Sequence, residues 1–470
     1  MNPRVTAAVA AGRMAGLVSR RLGKGGGTAL PGLVAERLDP QLVAHLGARL
    51  GRGSVLLTGT NGKTTASRIL AAILAEAGIP AIHNRSGSNL MRGLGATLLA
   101  ATSLTGTPRP AGAPRGAPVL GLFEVDEATL PAAAAALKPR AIAFTNLFRD
   151  QLDRYGEVDT VAAMWREALA ATPKTATLAL NADDPSVAEL ALGWPGPVHW
   201  LGVDDPAFAT TSGGAFDARW CRACGGTFRY ERRYFAHVGL WSCGGTCGRV
   251  RATPDTIARE IRLALDSCAF TVDGLGELTM PLTGLYNVYN ALAAIGMARV
   301  LGLDDGPIRR GLANVRPAFG RQETIVLEGR ELRLFLAKNP AGANQVLSLL
   351  GALARESGEP LRIAALLSDK AADGQDVSWT WDVDFEPLAS HVTDLWAGGE
   401  RAEDMALRLK YAGWPAAHAV EHEAVDFVDA ILAGTKPGDR VFVIPTYTAM
   451  LDFRAELAHR GAVEQFWEDS

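Results

Sequence analysis

The sequence predicts an α/β protein: a parallel-rich sheet bearing a P-loop and interrupted by a four-cysteine ribbon, then a smaller α/β unit. Three observations predict it. The apolar run Val55-Leu56-Leu57 leads into Thr58-Gly59-Thr60-Asn61-Gly62-Lys63-Thr64-Thr65 and then a helical pattern from Ala66 to Ala77. Strand-like runs at Val119 to Val125, Ala141 to Thr145 and Thr177 to Leu180 alternate with helical stretches such as Val158 to Ala171. Such alternation argues for parallel strands covered by helices. Finally, four of the five cysteines fall into two close pairs, Cys221/Cys224 and Cys243/Cys247.

The strand–turn–helix at Val55 to Ala77 is built for phosphate. Backbone N–H groups of the turn and the helix N-terminus cradle anionic oxygens, and Lys63 adds a mobile positive charge. The Thr64 hydroxyl is placed to ligate Mg²⁺. Thr60, Asn61, Gly62, Lys63, Thr64 and Thr65 are therefore the expected ATP-binding residues. The spacing from Gly59 to Lys63 is shorter than in the common G-x-x-x-x-G-K-[ST] pattern, so the general motif does not settle the class of enzyme.

The chain has 470 residues, enough for two or three cores. A net charge of −3 and the lack of a basic run give no sign of nucleic-acid binding. No segment holds the roughly 18 uninterrupted apolar residues of a membrane span. From Val5 to Leu22 an Ala-rich stretch is broken by Arg13, Arg20 and Arg21. It reads as a short amphipathic helix, with membrane-surface attachment as the weaker alternative, and a cytoplasmic location is expected. Residues 1–50 form a helical lead-in with a hinge at Gly23 to Gly27, because four glycines in five positions do not hold a helix. Residues 51–318 make the ATPase unit, with the ribbon at about 218–250, and 319–470 the last unit. The Pro/Gly-rich Thr107 to Pro118 reads as a surface loop. In the last unit Leu332 to Ala337, Leu361 to Leu367 and Arg440 to Ile444 read as strands, joined by helices around Gly342 to Ala354 and Glu400 to Ala412.

Cys221-Arg222-Ala223-Cys224 and Cys243-Gly244-Gly245-Thr246-Cys247 match a four-thiolate Zn²⁺ ribbon, with glycines allowing tight knuckles. Zinc would fold an insertion too small for a core of its own. Two disulfides are the alternative, which a cytosolic setting opposes. Cys268 reads as a buried strand residue.

Further stretches occur in order: Glu124-Val125-Asp126-Glu127, Thr145 to Gly156, Asn181-Ala182-Asp183-Asp184, Gly284 to Ala291 and Gly320-Arg321-Gln322-Glu323. Together with the P-loop they resemble the central ATPase domain of the Mur ligases, shared with folylpolyglutamate synthases, over about residues 50–325. The resemblance implies ATP-driven activation of a carboxylate as an acyl phosphate and attack by a nitrogen nucleophile. It implies that Lys63 holds phosphate, Thr64 and Glu124 bind Mg²⁺, Asn287 and Asn290 contact the nucleotide, and Arg321 reaches its phosphates. Helix capping or local hydrogen bonding is the alternative for Asn287 and Asn290, and a solvated strand-end carboxylate for Glu124.

The departures matter as much. Gln151 stands where Mur ligases usually have His, and Arg166 falls near a position where several carry a carbamylated Lys. An Arg cannot be carbamylated but can supply fixed positive charge. Phe335-Leu336-Ala337-Lys338-Asn339-Pro340 lacks the acidic residue expected to hold ribose. About 50 residues precede the P-loop strand, too few for the UDP-sugar-binding domain of those ligases. With the ribbon, Ala372 to Trp379 and Pro445 to Leu451, this combination resembles the MurT family. These are the ligase subunits of a lipid II isoglutaminyl synthase whose partner is the glutaminase GatD. The resemblance implies amidation of the D-glutamate α-carboxylate of lipid II at the inner membrane face, with ATP and glutamine. It also implies that an Asp of the C-terminal stretch, Asp376 first and Asp373 second, completes the partner's Cys–His pair. For either Asp the alternative is a turn beside Gly374. An amino-acid-adding ligase and a nucleotide-binding scaffold are the other functional readings.

Overall fold

The computed structural model describes residues 3–21, 30–84, 88–150, 158–210, 217–317 and 320–463, without the side chains of 18–21 and 321. The expected hinge at Gly23 to Gly27 and the residues Gln151 to Gly156 lie outside them.

Among the described residues, eleven strands fall in the first part of the chain. They are β1 (Ser54–Thr58), β2 (Ala81–His83), β3 (Leu120–Glu124), β4 (Ala141–Phe144), β5 (Thr177–Asn181), β6 (Val198–Val203), β7 (Phe228–Phe235), β8 (Val238–Cys243), β9 (Thr256–Leu263), β10 (Cys268–Val272) and β11 (Gly276–Met280). Nine form one sheet in the order β11-β10-β9-β6-β5-β4-β1-β3-β2. From β2 to β9 every neighbouring pair is parallel. The β9–β10–β11 end is antiparallel and adds an edge to the parallel sheet expected from the sequence. β1 sits centrally, buried along its whole length as a doubly covered parallel strand must be.

Side chains alternate across that sheet. Val55 and Leu57 join the core formed with helix Lys63–Glu76 (Ile69, Leu70, Ile73) and helix Leu285–Val300. Leu56 faces the other core, with Phe123, Phe144 and Trp165. Trp165, on helix Val158–Ala171, meets the edge of Phe144 at 5.0 Å between ring centroids. Val5, Ala8 and Val9 of helix Pro3–Arg21 enter that same core with Leu46 and Leu98. The N-terminal apolar stripe thus packs against protein, at the i, i+3, i+4 spacing of one helix face.

The second sheet comprises β12 (Arg321–Leu327), β13 (Arg330–Phe335), β14 (Leu361–Leu366), β15 (Val392–Gly398), β16 (Ala419–Glu421) and β17 (Arg440–Pro445), in the order β12-β13-β17-β14-β15-β16. Only the β12–β13 pair is antiparallel. Helix Pro340–Ser357 starts earlier than its periodicity suggests, because Asn339 caps it and Pro340 opens its first turn. No helix among the described residues is long and apolar enough to cross a membrane.

Candidate active site

The turn after β1 is shaped by two glycines. Gly59 (φ +138°) and Gly62 (φ +86°) adopt conformations that L side chains rarely take. Both are also packed shut. A Cβ on Gly59 would lie 2.1 Å from Thr145 Oγ1, and one on Gly62 would lie 1.9 Å from Asn290 Oδ1. The segment after β4 holds the turn by hydrogen bonds. Thr60 N donates to Asn146 O at 3.0 Å, and Asn61 N to Asn146 Oδ1 at 2.8 Å. Thr145 Oγ1 donates to Asn61 O at 2.9 Å, and Phe148 N to Thr60 Oγ1 at 2.9 Å. These supports were not assigned from sequence. The Thr-Asn pair at the end of β4 was the available signal.

Lys63 is buried, its Nζ donating to Gly59 O at 2.6 Å, Thr60 O at 3.2 Å and Glu127 Oε2 at 3.0 Å. Burial pulls its pKa down, but Glu127, Asp126 and Glu124 outweigh that and hold the ammonium above its ordinary value. Thr64 Oγ1 donates to Glu124 Oε1 at 3.1 Å, which brings together the hydroxyl and carboxylate expected at the metal. The Glu124 backbone is clamped by Asn84 through bonds of 2.9 and 2.8 Å. Its other oxygen, Oε2, is buried without a hydrogen-bond partner. Such an orphan is costly unless a donor or cation arrives, so the pair fits Mg²⁺. Glu124 is 2% exposed, which removes the solvated-carboxylate alternative. Thr65 is buried on the same helix.

Asn287 and Asn290 are buried on helix Leu285–Val300, with Asn290 against the P-loop turn. Their amides also make local bonds: Asn287 Nδ2 to Thr283 O at 2.8 Å, and Asn290 Nδ2 to Asn287 Oδ1 at 3.0 Å. Local bonding and placement at the turn therefore coexist. Arg321 opens β12, and its side chain lies outside the described residues. Its neighbour Gln322 accepts a hydrogen bond from Thr283 N at 2.8 Å, which brings the start of the second sheet to this helix.

The second unit reaches the P-loop directly. Asn61 and Asn339 exchange amide hydrogen bonds at 3.2 and 3.0 Å. Lys338 pairs with Asp150, which follows β4. The site is thus a seam, with Lys63, Glu124 and Glu127 on one wall and Lys338 and Asn339 on the other. Sequence reasoning did not identify Glu127, Asp150 or Lys338 as members of it.

Arg166 lies elsewhere. It is exposed on helix Val158–Ala171 and pairs with Glu189 at 3.0 Å, so its charge is spent there. Glu189 also pairs with Arg222, beside the first cysteine.

The sulfur atoms of Cys221, Cys224, Cys243 and Cys247 all lie within 4.8 Å of one another, and all four are free thiols. A Zn–S length of about 2.3 Å in a tetrahedron puts sulfurs about 3.8 Å apart. The contacts of 3.6 Å (Cys221–Cys247) and 3.4 Å (Cys224–Cys243) bracket that arrangement from below. The residues fit Zn²⁺. The hairpin tip below them docks on the ATPase core, where His237 and Phe235 stack on Phe148 at 4.7 and 6.0 Å.

Asp373 and Asp376 separate clearly. Asp373 is buried and accepts from Thr448 N at 3.0 and 3.1 Å, holding the start of helix Tyr447–His459. Burial raises its pKa against those donors. Asp376 is exposed, accepts from Ser378 N at 2.8 Å, and hydrogen bonding from Ser378 holds its carboxyl low. Trp381, further along the same segment, and Tyr411 are 54% and 71% exposed, with ring centroids 5.7 Å apart.

The family model of the Mur ligase middle domain matches residues 57–213, and that of the MurT ligase C-terminal domain matches 336–450. The chain is 34% identical to the "Lipid II isoglutaminyl synthase (glutamine-hydrolyzing) subunit MurT" of Streptococcus pneumoniae, over 99% of each chain. To the subunit of the same name from Staphylococcus aureus (strain COL) it is 32% identical, over 95% of this chain and 96% of that one. Among solved structures, a pseudomurein peptide ligase type C from Methanothermus fervidus superposes with a TM-score of 0.63 at 21% identity, covering 88% of this chain and 80% of that one. MurF from Acinetobacter baumannii gives 0.63 at 17%, covering 90% and 81%. At those identities the structures establish the Mur ligase-like fold.

Proposed function

The chain belongs to the MurT family of Mur ligase-type subunits, and from that premise we propose that it amidates the D-glutamate α-carboxylate of lipid II to D-isoglutamine. It is an ATP-dependent ligase. In the proposed reaction the γ-phosphoryl group passes to the carboxylate, and ammonia then displaces phosphate from the acyl phosphate. The observation that carries the reading is the grouping of Thr64 with buried Lys63 and Glu124 at a seam closed by the second unit. Lys63 would neutralise the moving phosphoryl group, so catalysis is positioning plus electrostatics. Thr64 and Glu124 would hold Mg²⁺, which supplies charge neutralisation when bound. Asn287, Asn290 and Arg321 would contact the nucleotide.

The nitrogen is proposed to come from a glutaminase subunit resembling GatD. Glutamine hydrolysis ordinarily needs a Cys nucleophile beside a His base. Four of the five cysteines here form the proposed zinc cluster, and Cys268 lies in β10 with burial pushing its thiol up to about 12. Asp376, exposed on its loop, is then the proposed interface carboxylate, while Asp373 is engaged within its own unit. An orienting Asp stabilises an imidazolium and fixes its tautomer. The proposed place of action is the inner face of the membrane, where lipid II is presented.

The test combines purified protein, lipid II, ATP and ammonium, with and without a co-expressed glutaminase, and reads the amide by mass spectrometry. ATP-dependent amidation is expected with ammonium alone, and with glutamine once the glutaminase is present. No amidation under either condition sinks the reading; addition of an amino acid in its place would make the chain an amino-acid-adding ligase. Asp376→Asn is expected to abolish glutamine-driven but not ammonium-driven amidation, and equal loss of both rejects the interface role.

A further inference from the structure

We infer that Asp150, with Glu127 beside it, forms a receiving site for an ammonium ion at the seam between the P-loop and the second sheet. The inference rests on the amidation proposed above and specifies where its nitrogen is held.

Among the described residues the seam gathers more carboxylates than ammonium groups. Lys63 is electrostatically coupled to Glu124, Asp126 and Glu127, and Glu127 in turn to Asp150 and Lys338. Among the described residues, the carboxylates of Glu124, Glu127 and Asp150 therefore share the ammonium groups of Lys63 and Lys338. Nucleotide binding sharpens the imbalance. When Lys63 turns from Glu127 to phosphate and Glu124 to Mg²⁺, Glu127 loses its ion-pair partner and Lys338 is left between it and Asp150. Buried charge without a counter-charge is expensive, so a further cation is favoured there.

One atom marks the place. Asp150 Oδ2 is taken by Lys338, yet Oδ1 is buried and has no hydrogen-bond partner, on a side chain only 8% exposed. An ammonium ion offers four N–H donors and no acceptor, which suits carboxylate oxygens on two sides. Magnesium suits it less well. Mg²⁺ demands near-ideal octahedral geometry and keeps several waters, and the fixed Lys338 charge repels a divalent ion twice as strongly as a monovalent one. The position also suits the reaction, since phosphates occupy the P-loop wall and the nitrogen must enter from the other side.

The proposed step balances as follows. Ammonium first gives one proton to the Glu127 carboxylate; the lone pair of the resulting ammonia forms the C–N bond, and the bond from the acyl carbon to the phosphate oxygen breaks with its electron pair on phosphate. Of the two protons lost from ammonium, one passes to the Glu127 carboxylate and the other leaves with inorganic phosphate.

The experiment uses the full chain with lipid II and ATP, and ammonium chloride as the nitrogen source. Asp150→Asn and Glu127→Gln each remove a charged acceptor, so KM for ammonium is expected to rise about ten- to a hundredfold. For Asp150→Asn, KM for ATP and the Mg²⁺ requirement should stay within about twofold, and Asp150→Glu should recover part of the ammonium affinity. A second readout needs no variant: with Mg²⁺ and a non-hydrolysable ATP analogue, ammonium chloride should raise the melting temperature of the unmodified protein more than tetramethylammonium chloride does. Failure of the unmodified protein to amidate overturns the parent reading and this one with it. An amidating protein whose variants keep their ammonium KM, or shift the Mg²⁺ requirement instead, overturns this site alone. So does equal stabilisation by the two salts.

Discussion

Gly62→Ala is the sharpest test of how the P-loop turn is held. Gly62 caps helix Lys63–Glu76 at φ +86°, and a left-handed conformation costs an Ala about 1–2 kcal/mol. The new methyl would also stand 1.9 Å from Asn290 Oδ1. Asn290 is buried and its amide bonds Asn287, so it can move only by giving up that contact, at about 0.5–1.5 kcal/mol. The sum, about 1.5–3.5 kcal/mol, corresponds to about a ten- to several-hundredfold loss if it falls on nucleotide affinity. Gly78→Ala separates the two contributions. Gly78 has φ +67° at the far end of the same helix, and nothing lies within 4 Å of its would-be Cβ. That variant should lose stability while binding nucleotide normally. The assay is equilibrium binding of a fluorescent ATP analogue together with thermal denaturation of both variants. Gly62→Ala with affinity within about twofold of the parent, or Gly78→Ala with an equal loss of affinity, would refute the packing argument.

Asp373→Ala should destabilise the second unit by about 1–3 kcal/mol, because it strands the Thr448 N–H at the start of a helix; urea denaturation checks this, and an unchanged midpoint contradicts it. Cys221→Ser should drop the zinc content of the purified protein from one per chain to near zero, read by atomic absorption, and raise protease cleavage within 217–250; full zinc content would exclude the four-thiolate site. Cys268 is pushed up to about 12 by burial, so the folded chain holds that proton more tightly than the unfolded chain. Its contribution to stability is complete below the ordinary thiol value and is lost as pH rises through 12. Native protein at pH 8 should leave Cys268 unalkylated by iodoacetamide, and peptide mapping that finds rapid modification refutes the burial.

What the sequence disclosed follows the range over which each signal acts. The P-loop and helix Val158–Ala171 are local patterns, and helical period alone placed the latter within its observed bounds. The four cysteines were legible because metal ligation constrains residue type and spacing together. The antiparallel strands β10 and β11 were not separated from the parallel sheet, since strand direction leaves no mark in a short apolar run. Asp373 shows the harder limit. Its neighbours Ala372 and Gly374 suggest a local turn, whereas its carboxylate holds Thr448, 75 residues away. Glu127, Asp150 and Lys338 were opaque for the same reason, because each acquires its partner only when separate strand ends meet.

That convergence explains how the departures from the Mur ligase pattern can coexist with an intact P-loop. The Thr60–Asn61 turn is held by three stretches distant in sequence. The β4 segment bonds it through Asn146, the second unit bonds it through Asn339, and the ribbon hairpin presses on Phe148, which bonds Thr60. None of these contacts involves Arg166, which is committed to Glu189 instead. The wall facing the P-loop carries Lys338, which bridges to Asp150. A phosphate-binding wall facing a charged wall is the arrangement the proposed amidation calls for, with carboxylate activation on one side and ammonia as the nitrogen donor on the other.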